Sequence, residues 1–364
     1  MAYTLFNATW VMIVLLSILV VVHEFGHFIT ARFFGVKVYE FSVGFGPLIG
    51  KFERNGIQYS FRWILLGGFV KIAGMDIALE GEGGDTPLPP EESFNHQKLW
   101  KKICIIAAGP IFNLILAIIL SFVTAAFVGL PDKFNGFSSV VEQATPGSPA
   151  FEAGIRPGDK ILAINGTAIK YWKDISELIQ KYGRQPMEFK IQRGQTVITK
   201  TITPMVSPVD QRYVIGVSGV PIYERTSLKD AARFAYLYPY NICEGIFKTF
   251  ALMFKGKVKG RVFMGPIGMV AVVEQMMRIH PFNIMSYAIQ ISMFLFLFNM
   301  LPLPLPLLDG GWIIILLLER LFRKEFSAEQ KAYAQMIGIT AVIILGIWIA
   351  YGDTISSFRR FFGG

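Results

Sequence analysis

The chain has 364 residues, of which 53% are hydrophobic and 17% are charged, and its formal net charge is +9. An apolar excess of this size excludes an ordinary soluble enzyme and is typical of a membrane protein. The lysines and arginines flank the apolar segments and do not alternate with aromatic residues, which favours the lipid bilayer as a partner and argues against nucleic acid.

Four segments are apolar for long enough to cross a membrane, which takes about 20 residues. They are residues 5–31, 103–130, 282–301 and 335–351. The first has no basic start and no small-residue cleavage site, so we do not expect it to be a signal peptide. The sequence therefore predicts a polytopic α-helical membrane protein with four transmembrane helices.

The positions of the basic residues predict how these spans are oriented. Lysines and arginines follow the first span, precede the second and follow the third, whereas the first ten residues carry none. Because basic loops stay in the cytoplasm, we expect residues 32–102 and 310–334 to be cytoplasmic and residues 131–281 to be external. The prediction is a multi-pass protein of the cytoplasmic (inner) membrane with both termini outside.

The first span ends in His23-Glu24-Phe25-Gly26-His27, an H-E-x-x-H pattern. On a helix, a spacing of four places His23 and His27 on one face, so both imidazoles can bind one metal ion. Glu24 lies beside the first ligand, where its carboxylate can take a proton from a water molecule. Ionisable groups at membrane depth are costly, so this pattern points to a functional site on the cytoplasmic side.

Residues 57–75 are rich in β-branched and aromatic residues, and Gly67-Gly68 interrupts them as a turn would. This pattern predicts a membrane-associated β-hairpin that is too apolar to stand in water. Protein or a cavity must then cover its polar backbone. With the first two spans, the hairpin makes up a predicted N-terminal membrane part, residues 1–136.

The second span contains Gly109-Pro110-Ile111-Phe112-Asn113. Gly109 would let two helices approach closely, and Asn113 would face the protein interior. Packing alone and a role in the catalytic core are both open for these two residues.

Residues 137–206 mix polar and apolar residues, with Gly and Pro at the turns, which predicts an inserted α+β domain outside the bilayer. We expect a short helix, a tight turn at 157–159, a strand running into an Asn165-Gly166 turn, an amphipathic helix at 173–182 and a hairpin at 187–203.

Residues 207–281 are predicted to form an external amphipathic helical linker. Within it, residues 227–258 predict one or two helices, broken near Pro239. Their aromatic residues fit a helix lying on the membrane surface, and a helix packing on the small domain is the open alternative. A C-terminal membrane part, residues 282–364, contains the last two spans.

Catalytic zinc sites usually hold three protein ligands, so the two histidines leave one ligand to be found. Asp309 is the candidate because it follows the third span in Leu308-Asp309-Gly310, after prolines at alternate positions that forbid a regular helix. Metal ligation is the favoured interpretation of Asp309. The alternative is a helix cap at the start of the next segment.

These motifs together resemble the site-2 protease family of intramembrane zinc metalloproteases over nearly the whole chain. The resemblance rests on His23-Glu24-x-x-His27, Gly109-Pro110-x-x-Asn113, Met264-Gly265-Pro266-Ile267-Gly268 and Leu308-Asp309-Gly310. Residues 138–206 resemble a PDZ domain of the bacterial, circularly permuted kind. The family often carries two PDZ domains, whereas this chain has room for one.

The resemblance implies one Zn²⁺ per chain, held by His23, His27 and Asp309, with Glu24 as the catalytic base. It implies substrates that are single-span membrane proteins, cut within the membrane after a first extracytoplasmic cut. An anti-sigma factor or a signal-peptide remnant would be such a substrate. The PDZ domain would contact the substrate or a partner and so screen what is admitted.

Substrate contacts are expected at Asn299, Asn113, Gly67 and Gly68. In the family pattern the asparagine of the third span holds the substrate backbone. Asn299 stands two residues upstream of the position that this pattern predicts. The hairpin that contains Gly67 and Gly68 could receive an unwound stretch of substrate as an added strand.

Two other classes of protein could carry some of these features. A catalytically silent membrane scaffold would act through its PDZ domain alone, and the complete His-Glu-His-Asp set argues against it. A zinc transporter would need polar residues along a whole path across the bilayer, whereas the polar groups here cluster near one end of the spans.

Overall fold

The computed structural model describes residues 2–75, 89–131, 137–145, 147–207, 212–221, 223–255, 265–279 and 283–362. The chain forms two compact units, one made of residues 1–122 and 232–364 and the other of residues 123–231.

The described helices and strands alternate in blocks along the chain. The helices are α1 (Ala2–Phe33), α2 (Leu99–Val123), α3 (Pro149–Glu152), α4 (Trp172–Tyr182), α5 (Leu228–Phe254), α6 (Pro266–Ile279), α7 (Asn283–Asn299), α8 (Asp309–Phe322) and α9 (Ala328–Phe362). The strands are β1 (Val38–Arg54), β2 (Ile57–Ile72), β3 (Leu130–Pro131), β4 (Phe137–Ala144), β5 (Lys160–Ile164), β6 (Thr167–Ala168), β7 (Met187–Arg193), β8 (Thr196–Ile202), β9 (Met205–Val206), β10 (Tyr213–Val214), β11 (Val217–Pro221) and β12 (Tyr223–Glu224).

Two of the described helical segments are long and apolar enough to cross a bilayer, Phe6–Phe33 and Leu99–Val128, and α7 is a shorter apolar helix. Large apolar side chains on these two segments point outward, with Trp10, Ile18 and Ile119 about half exposed. Exposed apolar surface of this extent marks contact with lipid or with another protein, and the length of both segments favours lipid. The first two predicted spans therefore lie in described helices, and the total of four remains a prediction.

Helices α1 and α2 pack closely at their glycines. A side-chain carbon on Gly26 of α1 would overlap the backbone carbonyl of Ala108 in α2. Small residues at such a crossing let two backbones approach, which is how helices associate in lipid. This crossing brings the H-E-x-x-H turn of α1 against the Gly109-to-Asn113 segment of α2.

The predicted hairpin at 57–75 is wrong in its turn and its extent. Strands β1 and β2 form one long antiparallel ribbon that turns at Asn55-Gly56, where φ is 53° and 70°. These two residue types tolerate the left-handed backbone that a tight hairpin turn requires. Gly67 and Gly68 lie inside β2, where a side chain on Gly67 would lie 2.6 Å from the Phe45 ring. Their small size serves close packing and not a turn.

The ribbon folds back on itself, so that its segments lie side by side as a small sheet. Residues 40–43 pair with 68–71 on one side and with 58–61 on the other. The 68–72 segment pairs only with β1 among the described strands and therefore forms an edge. Its outer backbone groups are available to a further strand.

The second unit is built on a sheet with strand order β11-β4-β5-β7-β8, and β6 pairs with β5. The predicted elements are present: the short helix α3, the turn at Asn165-Gly166, the helix α4 and the β7-β8 hairpin. Buried Ile161, Ile164 and Phe189 lie at the centre of its core. The alternating polar and apolar pattern specified this sheet because one of its faces is buried.

The structure extends the second unit beyond the predicted boundary at residue 206. Strand β11 pairs with β4 and completes one edge of the sheet, and the compact unit reaches residue 231. Residues 213–224 thus include strands, and the linker becomes helical only at Leu228. The predicted break near Pro239 is also wrong, since α5 continues through it. A proline removes one backbone hydrogen bond, which a long helix can tolerate.

Candidate metal centre

Three side chains from distant parts of the chain meet at one point. The Nε2 atom of His23 lies 3.1 Å from Asp309 Oδ2, and Nε2 of His27 lies 3.5 Å from Asp309 Oδ1. The two Nε2 atoms are 3.2 Å apart. Both histidines are buried, with 9% and 5% of their surface exposed. Among the described residues these three form a group that could hold a metal ion.

This donor set fits zinc. Zinc bonds of about 2.0–2.1 Å in a tetrahedral arrangement separate neighbouring ligand atoms by roughly 3.3 Å, and the three observed separations are 3.1, 3.2 and 3.5 Å. The buried Oδ2 atom of Asp309 has no hydrogen-bond partner. Lone pairs that face one another in this way repel unless a cation lies among them. Two imidazole nitrogens and one carboxylate oxygen are a ligand set that zinc accepts.

The outer ring nitrogen of His27 is fixed by the backbone. Its Nδ1 atom lies 2.9 Å from the carbonyl oxygen of Ile105 in α2. A carbonyl only accepts, so Nδ1 carries the proton and donates it, and Nε2 keeps its lone pair for a metal. Helix α2 therefore sets the tautomer of a ligand on α1.

The outer ring nitrogen of His23 faces Asn113, which is fully buried. The amide Nδ2 of Asn113 lies 3.2 Å from His23 Nδ1, and the amide Oδ1 has no partner. If Nε2 of His23 binds a metal, Nδ1 must carry the proton and needs an acceptor. Rotating the amide by 180° places Oδ1 there, where it accepts from the protonated Nδ1. Asn113 is thus placed to orient His23, in addition to lining the cavity.

Gly109 leaves the room that the two imidazoles occupy. A side-chain carbon at this position would overlap His27 Nε2 and lie 2.9 Å from His23 Nε2. Any larger residue would therefore push into the point at which the ligand atoms meet. This close approach depends on the α1–α2 crossing and is not visible in the local sequence.

Asp309 is the first residue of α8, and it is delivered by an irregular segment. After α7 ends at Asn299, the proline-rich stretch makes short turns such as Leu305 N–H to Leu303 O at 2.7 Å. The carbonyls of this stretch press against Gly310 and Gly311, where a side chain would overlap them. The N-terminal turn of α8 also favours a carboxylate electrostatically. The helix-cap alternative gains no support, since no side-chain capping bond is present.

A cavity of about 340 Å³ opens onto the three ligands. Glu24 and Asn299 line it, so the two-residue offset of Asn299 does not remove that residue from the site. Val70 and Ile72 of the ribbon edge also line it. Gly67 and Gly68 are not among the lining residues, and Gly67 packs near Val20, which is one.

The residues of this cavity that the sequence did not predict include Trp312 and Gln335. Trp312 follows Asp309 by three positions, so the helical period could have placed it on the same face of α8. Gln335 belongs to α9, and its only signal is an amide at the start of an apolar stretch.

Comparison with known proteins gives a consistent result. The family described as "Peptidase family M50" matches residues 11–345. The chain is 23% identical over 419 residues to the regulator of sigma-W protease RasP of Bacillus subtilis, covering 95% of this chain and 98% of RasP. It is 26% identical over 421 residues to the zinc metalloprotease RasP of Shouchella clausii, covering 95% and 98%.

Among solved structures, the chain is similar to the PDZ domain of an SdrC-like protein of Listeria monocytogenes. The sequence identity is 18% and the TM-score 0.21, with 25% of this chain and 94% of that chain covered. The fold of the second unit is therefore taken from the order of its own strands and helices and not from this similarity.

Proposed function

This chain belongs to peptidase family M50, the site-2 protease family of zinc metalloproteases, and we propose that it hydrolyses peptide bonds within the transmembrane segments of other membrane proteins. The meeting of His23, His27 and Asp309 beside a cavity lined by Glu24 is the observation that supports this most directly. In this proposal those three residues hold one Zn²⁺. The site then contains the groups that metal-assisted hydrolysis requires, namely three residues that hold the metal and a carboxylate that accepts a proton.

The chemistry divides between the metal and the side chains. When held by His23, His27 and Asp309, zinc would polarise the scissile carbonyl as a Lewis acid and lower the pKa of water towards about 7. Glu24 accepts the proton of the attacking water and passes it to the departing amine nitrogen. Asn113 and the Ile105 carbonyl hold the two imidazoles in the tautomer that presents Nε2. Asn299, at the cavity wall, holds the substrate backbone.

The substrate enters as an unwound strand. The peptide bonds of a transmembrane helix are already hydrogen-bonded, so a cut requires local unwinding, and the freed groups then need partners. The 68–72 edge of β2 offers such partners through strand addition. Its alternate residues Val70 and Ile72 line the catalytic cavity, so an added strand would run along it. Gly67 and Gly68 stand at the start of this edge and would contact the substrate through their backbone groups, since Phe45 and the Ser42 carbonyl occupy the space beside their α-carbons.

The substrates are single-span membrane proteins whose outer domain has already been cut away, such as an anti-sigma factor or a signal-peptide remnant. A relative is named as a regulator of sigma-W protease, which fits a role in regulated intramembrane proteolysis. The second unit is proposed to be a PDZ domain that contacts the substrate or a partner outside the membrane. The catalytic site would face the cytoplasmic side of the inner membrane, with the basic loops.

The substitution Glu24→Gln tests the base assignment. It removes the proton acceptor but keeps the three ligands, so we expect full zinc content and cleavage of a single-span substrate reduced by about 10²–10⁴-fold. The control is Glu53→Gln, the same chemical change at an exposed residue of the ribbon, which should cleave normally.

Normal turnover by the Glu24→Gln protein would remove Glu24 from the mechanism. If the unaltered protein binds substrate and zinc but cleaves nothing, the catalytically silent scaffold is the better interpretation. Zinc flux into vesicles carrying the protein would instead favour a transporter.

A further inference from the structure

A second cavity, of about 510 Å³, lies between the start of α2 and the end of α8. It is lined by Leu99, Lys102, Leu316, Glu319, Arg320, Arg323, Lys324 and Glu325. We call it the α2–α8 cavity. It shares no lining residue with the catalytic cavity, and the proteolytic reaction makes no use of it.

The α2–α8 cavity carries an excess of positive charge. Glu319 is already satisfied, since its Oε1 lies 2.9 Å from Lys331 Nζ and accepts from the Phe326 backbone N–H at 2.9 Å. Glu325 then faces four basic side chains, those of Lys102, Arg320, Arg323 and Lys324. None of the four forms an ion pair with a carboxylate in the described part of the chain. Glu325 offsets at most one of these four charges, so the cations repel one another unless a further anion binds.

The backbone at Arg323 supports a ligand site. Arg323 ends α8 with φ 53° and ψ 31°, the left-handed conformation. Glycine or asparagine usually takes this position because a larger side chain is strained there. Strain of this kind is retained where the side chain serves a purpose. The left-handed backbone of Arg323 holds its guanidinium at the cavity wall. A guanidinium can donate two parallel hydrogen bonds to the oxygens of one phosphate.

The surroundings of the cavity are apolar. Leu99 and Leu316 form part of its wall, and Leu321 and Phe322 beside it are 72% and 65% exposed. Leu99 is also the first residue of a helical segment that is long and apolar enough to cross a membrane, which favours a position of the cavity at the depth of the lipid headgroups. Cations beside exposed apolar side chains match an amphiphile with an acidic head better than free phosphate. We propose that the α2–α8 cavity binds the phosphate of an anionic phospholipid.

The test uses the purified full-length protein in detergent micelles with added phosphatidylglycerol or phosphatidylcholine. Retained lipid is counted by native mass spectrometry, and thermal stability is measured in parallel. The cavity variant is Arg320→Gln, Arg323→Gln and Lys324→Gln combined. The control is Arg32→Gln, Arg54→Gln and Lys98→Gln, which removes three exposed cations outside the cavity. We expect phosphatidylglycerol to bind the unaltered and control proteins at least about tenfold more tightly than the cavity variant, with little binding of phosphatidylcholine.

A single substitution separates binding from folding. Arg323→Gly removes one cation and suits the left-handed backbone, so thermal stability should hold or rise while phosphatidylglycerol affinity falls severalfold. A third arm adds inorganic phosphate alone. If inorganic phosphate binds as tightly as phosphatidylglycerol and displaces it, the cavity is a site for free phosphate, and the proposal of a phospholipid site is wrong. Equal phosphatidylglycerol binding by the cavity and control variants would overturn the proposal.

Discussion

At the scale of single residues, the candidate ligands His23 and His27 are oriented by neighbours that are not themselves candidate ligands. The Ile105 carbonyl accepts from His27 Nδ1, and the Asn113 amide lies against His23 Nδ1, where its oxygen would accept once the amide is rotated. Each imidazole would then carry its proton on the outer nitrogen and direct its lone pair inward. Both acceptors lie on α2, whereas both histidines lie on α1. Partners of this kind fix ring orientation and raise the basicity of the ligand.

The substitution Asn113→Leu should weaken zinc binding about 10–100-fold, because His23 loses the acceptor that sets its tautomer. Zinc affinity is measured by competition with a chelating dye. Ser121→Ala on the same helix is the control: its hydroxyl is also buried but bonds only to Ala117 O. Asn113→Asp keeps an acceptor and should restore much of the affinity. Unchanged affinity in Asn113→Leu would show that Asn113 does not orient His23.

A second residue-scale prediction concerns Asp159 in the second unit. Burial raises the pKa of this carboxyl, but two hydrogen bonds from Arg193 at 2.8 Å and one from the Arg156 backbone N–H outweigh burial and lower the pKa below its usual value. A lowered folded-state pKa stabilises the fold above the unfolded value of about 3.9, and this contribution is lost as pH falls through the folded-state pKa.

Asp159→Asn should therefore destabilise residues 137–221 by about 1–3 kcal/mol near neutral pH and flatten their acid sensitivity. Hydrogen exchange followed by mass spectrometry on the full chain resolves this region from the rest. Asp174→Asn, which alters a capping carboxylate of α4, should retain the acid sensitivity. A variant at Asp159 that responds to acid as steeply as the unaltered protein would contradict the argument.

At the scale of elements, the ribbon of β1 and β2 is held by a buried ion cluster. Glu40 is 5% exposed, and its carboxylate meets Arg62 at 2.8 Å and Lys71 at 3.5 Å. Arg62 also donates to the Ser42 hydroxyl and to the Gly46 carbonyl at the bend of β1. This cluster stabilises the arrangement in which residues 40–43 pair with two segments of β2. It thereby helps to position the 68–72 edge beside the cavity that Val70 and Ile72 line.

Arg62→Met should destabilise the first unit by about 2 kcal/mol or more, because the buried Glu40 carboxylate loses its guanidinium partner and keeps the Ser60 hydroxyl and the longer Lys71 contact. The double variant Glu40→Met and Arg62→Met should recover much of that loss, since the charge left without a carboxylate is then that of Lys71, whose side chain is about one-third exposed to solvent. Arg54→Met, an exposed cation of the same ribbon, is the control and should be nearly neutral. Denaturant unfolding measures the free energy of unfolding of the three purified variants and of the unaltered protein. An equal loss in the single and double variants would exclude the charge argument.

At the scale of the whole molecule, the two compact units should respond differently to metal. All three candidate ligands lie in the unit of residues 1–122 and 232–364. Ligand binding stabilises only the fold that contains the site, by about 4 kcal/mol when free zinc is 1,000 times its Kd.

Removing zinc with a chelator should raise hydrogen exchange in α1, α2 and α8 and leave residues 137–221 unchanged. Added zinc should reverse the change, and magnesium, which prefers oxygen ligands in octahedral geometry, should not. Equal loss of protection in both units would mean that the metal is not confined to the first.

The sequence by itself determined the features that depend on near neighbours. The spacing of His23 and His27 places them on one helical face, apolar length marks the first two spans, and turn residues set the hairpins of the second unit. Each of these features follows from backbone geometry or from the burial of one face, and a short stretch of sequence contains enough information to predict both. The sequence also indicated Asp309 as the third candidate ligand, since the proline-rich segment made an aspartate there hard to explain as packing. The structure brings Asp309 to the two histidines, and its role as a ligand stays a prediction.

Only the tertiary structure decided what depends on long-range contact. The ribbon turns at Asn55-Gly56 and not at the predicted Gly67-Gly68. The prediction failed because a glycine pair can serve close packing as well as a turn. Asn113 meets His23 across 90 residues of sequence, and Gly109 leaves space for imidazoles on another helix. Such contacts arise from how helices cross, and no local pattern records a crossing.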